Sequence, residues 1–173
     1  MGIDPGSRNF AWALIDLGGT VLEFGTLDMG PPQRLTIDKS VQLLHMWWGQ
    51  VVVPLMCRYT IRCVSVEVQM KQKMVSIATT CLNLARSAGL QTCHISPKAV
   101  KVLNGIEHGG SNAANKRLAL EMIKRELWTD CPSHHLADAF LTARAHLVRQ
   151  RLVYSEHAPK PKPRARKVVA MSK

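Results

Sequence analysis

Twelve acidic residues are spread over 173 positions, so each carboxylate among apolar neighbours invites a chemical reading. Asp4 lies in Gly-Ile-Asp-Pro-Gly-Ser near the start of the sequence, Glu67 in Val66-Glu67-Val68, and Asp138 in Leu136-Ala137-Asp138-Ala139-Phe140. An ionised carboxylate buried without a partner is costly, so acids in such settings need a counter-charge. Three of them, near strand ends and on an apolar helix face, have the makings of a shared cation site. Mg²⁺ suits widely separated ligands, because it takes few protein carboxylates and fills its shell with water and phosphate oxygens. His135 precedes Asp138 by one helical turn, so the two share a face. The imidazole there is a candidate fourth ligand, or a base beside the metal. Each residue also has a plain structural reading: Asp4 as a turn-former, Glu67 in a salt bridge, Asp138 as a polar edge, His135 at a helix start. The pattern of the four together favours the cation.

The elements that must position these residues follow from hydrophobic period and turn signals. A short strand ends over 3–5, a second runs over 10–15, and Gly18-Gly19 signals a two-residue hairpin into a third over 21–27. The Gly-Ser opening does not read as a phosphate loop, since a strand rather than a helix follows it. From Asp38 the period turns helical, with Val41, Leu44, His45, Trp48, Val51 and Val52 on one face and Pro54 interrupting. The run 63–68 is a buried strand with Glu67 inside it, 74–87 a helix ended by Gly89, and 92–95 another strand. Ser96-Pro97 opens a short helix, 105–111 is a loop, Asn115 or a neighbour caps a helix to Leu127, and Ser133 caps a last one to about Arg151. An antiparallel meander followed by alternating helices and strands gives an α/β mixed sheet flanked by helices, whose sites gather at strand ends.

Length and 46% hydrophobic content fit one domain with a proper core. No apolar run is long enough to span a bilayer, and no basic segment precedes an apolar one at the N-terminus. An intracellular location is therefore expected, with cytoplasm, viral factory and organelle left undistinguished, and no membrane partner. The five cysteines, Cys57, Cys63, Cys81, Cys93 and Cys131, are odd in number and irregular in spacing, so they are expected to be reduced and buried. Cys131, His134 and His135 stand close in sequence, but no CxxC pair completes a zinc site. Net charge +11 points to a polyanion. Residues 158–173 carry Lys160, Lys162, Arg164, Arg166, Lys167 and Lys173 with no acid, so six of the eleven charges sit there and the rest of the chain is still basic. That tail also reads as a solvated, proline-spaced segment or a localisation signal.

Four segments, in order over 2–146, resemble the RuvC-type Holliday-junction resolvases of the ribonuclease H-like superfamily. GIDPGSRNFAWALID is similar to the family's opening. ISPKAVKVLNGIEHGGSNAANKRLALEMIKREL is similar to its Pro-Ser-x-Val-Lys, glycine-rich loop and lysine segment. HHLADAFLTARAH resembles its terminal Asp/His-x-x-Asp-Ala helix, and SVEVQMKQKM resembles the Glu-x-Gln of mitochondrial and poxvirus-type members. The resemblance implies a five-stranded ribonuclease H-like sheet over 1–154, followed by a basic, disordered tail over 155–173. It implies Asp4, Glu67 and Asp138 as metal-binding carboxylates, with His135 where many members have a fourth Asp and some a His. Lys101 and Lys116 match the family's phosphate-holding lysines, and Arg8, Lys73 and Lys98 join them as expected DNA contacts. Met70 falls where some members carry an aromatic wedge; a core methionine is the alternative. The implied activity is symmetric cleavage of four-way junction DNA by a homodimer, with two Mg²⁺ ions (or Mn²⁺) in each site. The implied dimer helix lies over 74–88, presenting Ile77, Cys81 and Leu84 to the partner, with Ala78, Leu82 and Ala85 as a second stripe for the sheet. A YqgF-like RNA nuclease and a non-catalytic nucleic-acid-binding module of the same fold are the competing readings.

Overall fold

A computed structural model of the chain describes residues 1–31, 33–106, 112–127 and 133–152; within 112–127 the side chains of 112, 113, 115, 116, 119 and 125–127 lie outside the description. The boundary expected between a 1–154 domain and a 155–173 tail thus lies outside the described residues, as does most of the loop expected over 105–111.

Strand β1 (Gly2–Asp4) pairs antiparallel with β2 (Asn9–Ile15), which pairs antiparallel with β3 (Val21–Asp28). β4 (Cys63–Glu67) lies parallel to β1 on its other side, and β5 (Gln91–Ile95) parallel to β4, giving the order β3-β2-β1-β4-β5. The expected α/β mixed sheet of five strands is present. The two-residue hairpin is not. Its loop spans 16–20, where Asp16 Oδ1 accepts from the Thr20 amide at 2.8 Å and Gly19 adopts φ +91°. A register shift at Leu14/Ile15 makes room for the extra residues.

Both faces of β2 are buried, and its period-two alternation divides the core. Phe10, Trp12 and Leu14 face one layer with Trp47, Trp48, Ile77, Cys81 and Leu82; Ala11, Ala13 and Ile15 face the other with Ile123, Leu136 and Phe140. The first layer is built from α1 (Ile37–Trp47), a π-helical turn (Trp48–Val52), α2 (Val53–Arg58) and α3 (Gln72–Ser87). Pro54 does not break this path: it stands where the wider π-helical turn passes into α2, and the backbone stays right-handed helical through it. The second layer holds α4 (Pro97–Leu103), α5 (Asn112–Leu127) and α6 (His134–Arg149).

Two expectations need correction. Ile77, Cys81, Ala78, Leu82 and Ala85 are all buried within this chain, and Leu84 packs partly buried against the same cluster. Neither stripe of α3 is free for a partner, because α3 is held between the sheet on one side and α1 on the other. Among the described cysteines only Cys81 is fully buried; Cys57 is exposed at the end of α2, and Cys63 and Cys93 are half-buried. All four are free thiols.

Candidate active site

The parallel register Gly2↔Ser65 and Ile3↔Val66 carries the two strands forward together, so Asp4 and Glu67 close β1 and β4 at the same end of the sheet. Glu67 is the last residue of its strand, not an interior one as Val66-Glu67-Val68 suggested. Immediately after Asp4 the chain turns away: the Gly6 amide donates to the Asp4 carbonyl at 2.9 Å, and a Cβ on Gly6 would collide with the Asn9 carbonyl oxygen. The strand therefore stops at its carboxylate and leaves that end of the sheet open.

Helix α6 begins at the same end. Ser133 caps it, its Oγ accepting from the Leu136 amide at 3.3 Å. The helix lies almost on the backbone of β1, which its composition permits: Ala137, Ala139, Ala143 and Ala145 are buried, and the residue beneath is glycine. A Cβ on Gly2 would collide with the Ala139 carbonyl oxygen and come within 2.8 Å of the Ala143 Cβ. Small side chains on both elements thus bring the first turns of α6 down to the strand ends. Thr142 Oγ1 donates back to the Asp138 carbonyl at 2.8 Å, and Ser65 Oγ reaches the Thr142 carbonyl at 3.4 Å, tying helix to sheet.

At this meeting point His135 Nδ1 lies 2.9 Å from Asp4 Oδ2, with the carboxylate almost wholly covered. The His134 ring packs against His135 with centroids 4.0 Å apart and the planes tilted by 38°. Burial, and then the neighbouring carboxylates of Asp4 and Asp138, push the Glu67 carboxyl up from its ordinary 4.5 to about 7, while the Lys101 ammonium pulls it back. Asp4, Asp138 and Lys101 thus each bear electrostatically on Glu67, and His135 is bonded to Asp4. Three carboxylates that repel one another are the donor set a hard divalent cation relieves. Among the described residues no group of three His, Cys, Asp or Glu side chains is placed so that it could hold a metal ion. An ion that keeps most of its water, as Mg²⁺ does, takes only one or two protein carboxylates directly, and carboxylates are the donor type it prefers.

The remaining expected contacts spread around this end. Lys101 is half-buried on α4, one turn after the exposed Lys98; Arg8 is exposed beyond the Asp4 turn, and Lys73 is half-buried in the first turn of α3. Met70 projects from the β4–α3 connection with 96% of its surface exposed, so the core alternative for it fails. Lys116 lies on α5, its side chain outside the described residues, and so does Cys131 of the zinc grouping. Two residues escaped the sequence reading. Asn104, only 4% exposed, ends α4, and Arg144 on α6 donates to its Oδ1 at 3.0 Å. The available signal was an asparagine before a glycine at the end of an apolar helix, which a plain C-cap also explains.

Strand order, helix layers and a carboxylate cluster at the ends of β1 and β4 define a ribonuclease H-like fold. Among solved structures the chain is similar to Thermus thermophilus RuvC in complex with a Holliday junction substrate, at 20% identity and TM-score 0.66, covering 87% of this chain and 94% of that one. A second Thermus thermophilus RuvC structure gives 20% identity and TM-score 0.68 with the same coverage. The yeast mitochondrial Holliday junction resolvase Ydc2 gives 15% identity and TM-score 0.54, covering 87% of this chain and 79% of that one. No protein-family model matches the sequence, and no curated protein sequence matches it. The fold is thus shared with RuvC. No helix among the described residues is long and apolar enough to cross a membrane.

Proposed function

We propose that the chain is a structure-selective DNA endonuclease that resolves four-way junctions as a homodimer. The observation that carries this reading is the gathering of Asp4, Glu67 and Asp138, with His135 on Asp4, at the open ends of β1 and β4 in a fold shared with RuvC. Asp4, Glu67, Asp138 and His135 would hold two Mg²⁺ ions, or Mn²⁺ in their place. When bound, these ions supply an activated water for in-line attack and charge stabilisation for the leaving 3′ oxygen. The protein's own part is placement. His135 fixes the Asp4 carboxylate through Nδ1. Lys101 adds positive charge beside Glu67 and, with Lys98, Arg8, Lys73 and Lys116, holds backbone phosphates. Met70, exposed and apolar, is suited to enter between bases at the junction centre. Symmetric cutting of two strands needs two such sites related by a two-fold axis.

One observation favours a second reading, a nucleic-acid-binding module without catalysis: one oxygen of Asp4, a carboxylate the cations would need, is already bonded to His135. Cleavage of synthetic four-way and linear duplex DNA, with and without Mg²⁺, separates the two. The nuclease cuts the four-way substrate only with the metal, and its solution mass corresponds to two 19.2 kDa chains. Asp4→Asn and Asp138→Asn should each lower cleavage by more than about 100-fold while junction affinity stays within a few fold. Normal cutting by either variant removes the site assignment; binding without any cutting by the unmodified chain leaves the module.

A further inference from the structure

We infer that Asn104 is a positioning residue for Lys101, clamping α4 to α6 so that the lysine is held over the carboxylate site; this rests on the nuclease reading above. Asn104 is buried, only 4% exposed, and its bonding capacity is spent on joining two helices. Its Nδ2 donates to the Val100 carbonyl on its own helix at 2.8 Å and to the Leu141 carbonyl on α6 at 2.9 Å. Its Oδ1 accepts from Arg144 Nη1, also on α6, at 3.0 Å. Both amide protons and one oxygen lone pair are thereby satisfied across the α4–α6 seam.

The clamp stands one helical turn from a functional residue on each side. Asn104 follows Lys101 by three residues on α4, and Leu141 follows Asp138 by three on α6, so each pair shares a helix face. The bond from Asn104 to the Leu141 carbonyl therefore joins the face of α4 that carries Lys101 to the face of α6 that carries Asp138. The Lys101 ammonium opposes the upward shift of the Glu67 carboxyl, so the two groups lie within electrostatic reach of each other. α4 has only seven residues; Val100, Ala99 and Leu103 seat it on the second-layer core, and Asn104 adds directional hydrogen bonds to α6. Beyond Asn104 the chain leaves through Gly105 at φ +71°, with the Ile106 amide returning to the Lys101 carbonyl at 2.9 Å. The turn that ends α4 is thus tied back to the lysine itself. A plain C-cap would bond only within its own helix; Asn104 bonds outward twice.

A double-mutant cycle tests this, with two readouts: single-turnover cleavage, and the salt dependence of junction binding. Asn104→Asp keeps the shape but removes both donors, and should lower cleavage by about 10- to 100-fold, the scale of a misplacement of about 1 Å. Its log–log salt slope should fall by about 0.9, as for one phosphate no longer neutralised, matching Lys101→Met. In the Lys101→Met background, Asn104→Asp should cost less than about threefold more, because the residue it positions is gone. Arg144→Met, at a half-buried site that should fold, should show a smaller loss with the same dependence on Lys101, and Arg144→Lys should recover part of it. Losses that multiply in full, with a salt slope unchanged by Asn104→Asp, overturn the inference while leaving the nuclease intact. An unmodified chain that neither binds nor cuts the junction overturns the nuclease reading, and this inference with it.

Discussion

Glu67 is the residue in which folding and function are most openly opposed. The fold places it where burial and two other carboxylates raise its pKa to about 7. In the unfolded chain it ionises near its ordinary 4.5, so its contribution to stability is complete below that pH and is lost as pH rises through about 7. With metal chelated, the chain should therefore be less stable at pH 8 than at pH 5, and Glu67→Gln should flatten that decline. Denaturant unfolding in EDTA at the two pH values checks this; an equal decline in the variant would remove Glu67 as its source. Added Mg²⁺ should raise the midpoint more at pH 8 than at pH 5, because the ion binds the ionised site. At this scale the sequence singled out three acids that the fold brings within electrostatic reach of one another, since a carboxylate between valines or alanines stands out. It could not show that His135 bonds Asp4 at 2.9 Å. Nor could it separate Met70 as an exposed projection from Met70 as core, because a methionine fits either setting equally well.

The elements explain why residues from three distant segments of the chain, Asp4, Glu67 and the pair His135 and Asp138, meet. α6 reaches the strand ends only because its inner face is alanine and β1 offers Gly2 beneath it. Gly2→Val should push α6 outward, costing about 1–3 kcal/mol by overpacking. Because the shift would carry Asp138 and His135 away from Asp4, cleavage should fall even at temperatures where the variant stays folded. Thermal unfolding and cleavage assayed side by side test this; full activity in a destabilised variant would mean that the close approach serves stability alone. The strands and helices were legible because β2 buries both faces in strict alternation and the helices carry capping residues such as Ser96 and Ser133. What was not legible is which side of a helix meets which neighbour. α3 has apolar residues on two sides, and sequence alone left one for a partner chain. The structure covers that side with α1, a packing choice made far away in the sequence.

For the whole molecule, charge is the property that outlasts any single interaction. The carboxylates lie at one end of the sheet, within a chain of net charge +11, so a polyanion drawn in by the overall field meets the negative site only where cations can bridge the two. Lys101 on α4 and Arg8 beyond β1 lie around that end, while residues 158–173 hold six of the net charges without one acid. These two sets should separate experimentally. On the proposed function, charges around the site would act on the scissile region and so on the cleavage rate, and charges carried in the 158–173 segment on capture of the DNA. Deleting 158–173 should weaken junction binding at low salt and reduce the log–log salt slope by about 0.9 for each phosphate that the segment had neutralised. Cleavage at saturating protein should remain within about threefold, because no carboxylate, lysine or clamp residue of the site is touched. Binding titrations from low to physiological salt, followed by single-turnover cleavage at saturation, measure both. An unchanged slope would assign the six charges to something other than DNA. A collapse of the saturated rate would place the segment in the cleavage step itself, contrary to a division in which the tail gathers the substrate and the sheet end cuts it.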